Sequence, residues 1–353
     1  MAVAEYLTQL QADKQTLVDN LVAKGVEATS DETFTSLVPK VADISSGASF
    51  EITDASYLFY GGARTDYIDE LCSAITPECA NFIYMFQMAQ ELTEVPYFDT
   101  SNGTDFTRMF CACNNLTKMH LFNTSKGTNF TRTFYECRGL KEIPLLDTSN
   151  GTIFKEMFQG CSGLTEMPLL DTSNGTDFYA MFYRCSGLTE IPLLDTSNGT
   201  NFDQTFYWCS NLIKLPQIDT SKATTFNAMC SRCSKLVEIP LLNAEKVIYI
   251  NNMLGSCSSL TTLGGFKNLG KAYTQTTNNL YNYRLTLSDS PLLTHDSLMN
   301  VINNLYDLNL SYDVANGGTL YAQSLIIATE CQSLLTEEEI AIATNKGWNV
   351  SFA

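Results

Sequence analysis

One stretch of this chain repeats almost unchanged. Leu140 to Phe154 reads LKEIPLLDTSNGTIF, Leu164 to Phe178 reads LTEMPLLDTSNGTDF, and Leu188 to Phe202 reads LTEIPLLDTSNGTNF; successive starts lie 24 residues apart. The register extends both ways as a leucine column: Leu92, Leu116, Leu140, Leu164, Leu188, Leu212, Leu236 and Leu260. An acidic or amide corner keeps the same step: Asp99, Asn123, Asp147, Asp171, Asp195, Asp219 and Asn243. So does a cysteine column: Cys113, Cys137, Cys161, Cys185, Cys209, Cys233 and Cys257, seven of the twelve cysteines. A unit this short cannot bury its apolar side alone, so copies must stack.

Two periods alternate within the unit. Phe178, Met181, Phe182 and Cys185 fall at i, i+3, i+4 and i+7, the spacing of one face of a short helix. Leu188, Ile191 and either Leu193 or Leu194 then form a short extended stretch. Asp195 to Gly199 supplies turn residues, with the glycine free to take a positive φ. The expected fold is an α/β solenoid of strand-plus-short-helix units. Eight rungs at strand spacing span about 35 Å. Pro144, Pro168 and Pro192 recur beside the strand and predict short strands in an interrupted sheet.

The pattern LxxL, DTSN, then F-x-x-M-F-x-x-C resembles the BspA-like bacterial-surface leucine-rich repeat. Met157, Phe158 and Cys161, and again Met181, Phe182 and Cys185, carry the most specific part, and matches run from Phe82 to Cys257. The resemblance implies a leucine-rich-repeat-like body used for attachment to cells or proteins, without enzymatic activity.

The ends differ in kind. Val3, Leu7, Leu10, Leu17 and Leu21 fit a coiled-coil seam ending at Gly25, and a second helix follows from Ser30. The segment YLTQLQADKQTLVDNLVAKGVEATSDETFTSLVPKVADI resembles the opening of phage tail, baseplate and head-fibre proteins. That resemblance implies a docking or oligomerising element on a virion, most simply a homotrimer. Four regions follow: helical docking residues 1–46, an N-terminal cap at 47–91, the repeats at 92–264 and a C-terminal cap at 265–353. In the last, Leu285 and Leu287 predict a strand, Thr294 starts a helix, Thr336 with Glu339 forms a capping box, and Trp348 to Phe352 reads as a final strand.

The residues for chemistry are scarce. Two histidines, His120 and His295, give no triad or zinc-protease set. Cys230 and Cys233 make a CxxC only because Cys230 takes the place of a ladder phenylalanine, and no second pair completes a zinc site. Asp171 to Asp177 lacks the calcium-loop order, its carboxylates being turn residues. No cofactor or metal is expected, and the cysteine column reads as buried, reduced thiols. With 21 Lys and Arg against 38 Asp and Glu, the net charge of −17 opposes nucleic-acid binding and adsorption to anionic lipid. Met1 to Leu10 does not read as a secretory signal, and no apolar run suits membrane insertion.

Between repeats the strands and turns are nearly constant while the helix-side residues change. Tyr179, Tyr183, Arg184, Tyr207 and Trp208 therefore form the candidate contact surface for a host-surface protein or glycan. The expected function is a virion structural protein that presents a repeat body for host attachment. A structural spacer on the virion and a bacterial cell-surface adhesin stand as alternatives. The seam predicts that the full-length chain is an oligomer at micromolar concentration and that residues 47–353 alone are monomeric. Light scattering on both measures this, and a monomeric full-length chain contradicts it.

Overall fold

The computed structural model describes residues 14–15, 18–19, 28–30, 51–62, 65–272, 284–310 and 323–353. Lys14, Gln15, Val18 and Asp19 are helical, with Val18 buried and Gln15 bonded to Asp19 at 2.7 Å. The seam residues Val3, Leu7, Leu10, Leu17 and Leu21 lie outside the described residues.

The 24-residue sequence step becomes a spatial one. Parallel bridges link Asn81, Asp105, Asn129, Ile153, Asp177, Asn201, Thr225 and Tyr249 in succession, each to the same position one coil on. Short strands continue the stacking at its end: β1 (Glu238–Ile239) pairs with β3 (Thr262–Leu263), and β2 (Leu242–Asn243) with β4 (Phe266–Lys267), all parallel. The result is a repeat fold of short parallel strands and few helices.

The expected helix in each unit does not form. Residues 178–185 make consecutive turns instead. Met181, Tyr183 and Cys185 donate their N–H groups three residues back, to Phe178, Ala180 and Phe182. The alternate N–H groups, of Phe178, Ala180, Phe182 and Arg184, donate to Asn201, Asp203, Thr205 and Tyr207 of the next coil, at 2.8–3.0 Å. Ala180 and Arg184 take positive φ values of 51° and 60°, which no α-helix allows. Packing explains the substitution. Phe130, Phe154, Phe178 and Phe202 stack at centroid separations of 5.5–5.8 Å, and Phe134, Phe158, Phe182 and Phe206 at 5.6–5.9 Å. A helix is about 10 Å wide and does not fit between coils at that spacing. The four apolar positions are nonetheless all buried.

The DTSNG segment is accounted for residue by residue. Asp171 Oδ1 accepts from its own turn, from Ser173 N at 3.0 Å and Ser173 Oγ at 2.7 Å. Buried Thr172 donates forward to the Asp195 carbonyl at 2.8 Å. Asn174 donates backward to the Ser149 carbonyl at 2.7 Å. Gly175 does not take the expected positive φ; its role is close approach, because a Cβ there would sit 2.6 Å from Phe178 Cζ and 3.0 Å from Phe154 Cε2. Six of the seven column thiols donate to a phenylalanine carbonyl one coil back, as Cys161 Sγ does to Phe134 at 2.9 Å and Cys185 Sγ to Phe158 at 3.0 Å, and Cys257 Sγ donates to the Cys230 carbonyl at 3.2 Å. All twelve cysteines are free and buried, and burial pushes the Cys113 and Cys209 thiols up to about 12.

Both ends of the stack are covered. Residues 55–61 pair with 81–87 as a first coil, with Ala55 N donating to Asn81 O and Phe59 N to Met85 O. Helix α1 (Thr65–Ser73) lies between those two segments in the chain. At the other end β5 (Arg284–Leu287), β6 (Gln323–Ile327) and β7 (Trp348–Phe352) form a parallel sheet in that order. Helix α2 (His295–Asn304), N-capped by Thr294, lies against the last coil. Its Ser297 Oγ accepts from Leu263 N at 3.0 Å and donates to the Thr261 carbonyl at 2.9 Å, so polar groups at the stack's end are bonded. Helix α3 (Glu337–Asn345) opens on a capping box of Thr336 and Glu339. His295 bonds Glu339 at 2.8 Å, and that carboxylate raises the imidazole pKa above its usual 6.5.

These contacts reverse the usual glycine rule at two positions. Gly175→Ala, at an ordinary φ, should lower stability by ~1–3 kcal/mol through overpacking. Ala180→Gly, at a positive φ, should leave stability unchanged or raise it by up to ~1–2 kcal/mol. Denaturant unfolding of both variants measures this, and the opposite ranking contradicts the turn geometry.

Candidate functional site

Consecutive residues of an extended stretch point to opposite sides. The doubled leucine of each unit is therefore split. Leu146, Leu170 and Leu194 are buried, whereas Leu121, Leu145, Leu169 and Leu193 are 62–64% exposed. The pairing left open between Leu193 and Leu194 is thus settled: Leu194 enters the core. Tyr97 and Leu241 continue the exposed column at its ends, and Gln217 interrupts it. Core packing does not require the exposed leucine, and four of them in register make an apolar stripe from Leu121 to Leu193.

The column lines a groove of about 1550 Å³ that runs across the repeats. Its other wall is the turn corner: Asp147, Asp171, Asp195 and Asp219, with Thr and Ser neighbours. The Ser149 hydroxyl and N–H hold Asp147 below the usual carboxylate range, and the Ser197 N–H and hydroxyl do the same for Asp195. The wall is therefore anionic at neutral pH. Among the described residues no group of three His, Cys, Asp or Glu side chains converges on a possible metal position. None of their helices is long and apolar enough to cross a membrane.

The aromatic candidates lie on the turn ladder. Four of the five come together. The Tyr183 and Tyr207 rings stack at 4.9 Å, and Tyr207 meets Trp208 edge-on at 6.3 Å. The guanidinium of Arg184 lies 5.3 Å from the Tyr183 centroid and 4.7 Å from that of Trp208, and Arg232 lies 4.7 Å from Trp208 as well. Tyr179 pairs instead with Lys155, 5.1 Å from its ring. Arg184 and Trp208 occupy the positive-φ positions of their coils. Ring stacking and cations occupy part of this cluster's π surface, and Trp208 stays 36% exposed.

Variation between repeats points to the aromatic surface. The groove carries the opposite signal, the first leucine of LL, repeated in coils whose core needs only the second. A doubled apolar residue in a stretch of alternating burial was the legible clue.

Comparison with known proteins places these repeats. The family described as "Mycoplasma protein of unknown function, DUF285" matches residues 53–168 and 154–266. The chain belongs to that family. The crystal structure of a leucine-rich repeat protein from Bacteroides ovatus is similar at 15% identity and a TM-score of 0.34, over 67% of this chain and 53% of that one. The chain thus spans about half the length of that structure. No curated protein matches the sequence.

Proposed function

We propose that this DUF285-family chain is a non-catalytic attachment module, a leucine-rich-repeat-like solenoid that holds a surface ligand along its groove. The observation that carries this reading is the exposed column of Leu121, Leu145, Leu169 and Leu193. Burying four such side chains against a ligand removes several hundred Å² of apolar surface from water, at about 25 cal/mol per Å². A scaffold of identical coils keeps the column straight and pre-organised, so binding orders little of the protein.

The proposed setting is an exterior surface. The opening segment's resemblance to phage structural proteins favours a virion, with the ligand on the host, and residues 1–46 as the docking and trimerising element. The repeat's own resemblance favours a bacterial cell surface. The groove serves attachment in either setting. The aromatic and guanidinium patch is a second possible contact, favoured by the partial exposure of Trp208.

Adhesion of the labelled full-length chain to candidate host cells separates these surfaces. Leu145→Ser/Leu169→Ser/Leu193→Ser should abolish binding while the protein stays folded, because these side chains contribute little to the core. Tyr183→Ala/Trp208→Ala should bind as the parent does. The reverse pattern moves the site to the turn face. A parent that binds no host supports the spacer reading.

A further inference from the structure

We infer that the groove's partner is a cationic amphipathic helix, a protein segment with lysine or arginine on both flanks of an apolar stripe. The inference rests on the groove being the contact face and adds what lies in it.

Three central coils present the same exposed side chains. These are Glu142, Leu145 and Asp147, then Glu166, Leu169 and Asp171, then Glu190, Leu193 and Asp195. Along each stretch the leucine and the aspartate line the groove, and the glutamate stands three residues before the leucine. Six carboxylates accompany three leucines, and none of the six has an ion-pair partner among the described residues.

The pairing between coils shows where this charge goes unanswered. In the flanking coils the register sets a lysine beside the glutamate position, where the backbone bridges Glu94 with Lys118 and Lys214 with Glu238 without an ion pair between their side chains. Between Lys118 and Lys214 the same position is Glu142, Glu166 and Glu190 in succession. No bridge joins these three among the described residues. Like charges on adjacent rungs repel, so the stack carries at its centre an acidic run that its own lysines bracket but do not neutralise. A cationic occupant supplies the missing partner charge.

Periodicity selects the helix. Coils joined by parallel bridges repeat about every 4.8 Å along the stack. A helix advances about 5.4 Å per turn, within about 0.6 Å of that step, so over three coils it keeps close to one turn on each. An extended strand repeats its same-face side chains every 6.8 Å or so and loses register within a few coils. Three coils then accept about three turns, or roughly 11 residues. Nucleic acid and anionic polymers are repelled by the same carboxylates.

The test uses the full chain and a labelled 14-residue helix-forming peptide with a leucine stripe and lysine flanks, read by fluorescence anisotropy at physiological salt. The groove should bind this peptide at least about 10-fold more tightly than a scrambled peptide of the same composition. Glu142→Gln/Glu166→Gln/Glu190→Gln should weaken binding about 10-fold, whereas Glu51→Gln/Glu330→Gln/Glu338→Gln, equal in charge but remote in sequence, should change it less than about 2-fold. Two interior prolines in the peptide should abolish binding. Equal binding of the scrambled peptide, equal weakening by the two triple variants, or no binding of the lysine peptide at millimolar concentration overturns the inference. Equal binding of a peptide with glutamate in place of lysine also overturns it but leaves the groove as an attachment face. That face fails separately, if the triple leucine variant still adheres to host cells.

Discussion

Every feature of this molecule depends on hydrogen bonds that leave one coil for the next. In the turn segment half of the backbone N–H groups close local turns and the other half donate to the neighbour. A single coil therefore holds unsatisfied donors on one side and unsatisfied carbonyls on the other, and it has no stable form alone. Stacking satisfies both and aligns two phenylalanine ladders, whose ring pairs add ~0.5–1.5 kcal/mol each beyond burial. The positive-φ strain at Ala180, Arg184 and their equivalents is held by these same bonds. The constancy of the 24-residue step follows, because one inserted residue would put every later donor out of line.

A fixed step also makes columns of everything on the surface. One exposed leucine is ordinary; four in register make an apolar wall. One glutamate is a solvated side chain; three on successive rungs concentrate charge. The coils thus multiply whatever their exposed positions carry, and the groove is the place where apolar and acidic columns run side by side. Substitutions such as Lys118, Lys214 and Gln217 then set where the surface begins and ends.

Much of this was legible in the residues. The step, the buried leucine and cysteine columns, the short strands, the Thr294 and Thr336 helix starts and the last strand all have local signals. The spacing i, i+3, i+4 and i+7 reads as a helix, yet consecutive turns, each closing three residues back, return apolar side chains to one face at the same positions. Only the coil spacing separates the two, and it is a property of the stack. Gly175 is constrained by contact and not by its own φ: a Cβ there would meet Phe178 and the Thr172 carbonyl of its own turn and Phe154 of the preceding coil. Of the candidate site, Tyr183, Arg184, Tyr207 and Trp208 lie together, and no sequence rule gives the stacking of their faces on one another. The exposed leucines are legible as the first residue of LL, although repetition by itself reads as structure.

The stack itself is tested most directly by the cysteine column, which places one thiol per coil in the continuous core. Thiol labelling followed by mass spectrometry, on native protein and through a denaturant series, measures its closure. The account predicts that Cys137, Cys161, Cys185 and Cys209 stay unlabelled in the native state and become reactive together at unfolding. Rapid native labelling of Cys161 or Cys185, or a disulfide between them, would contradict it.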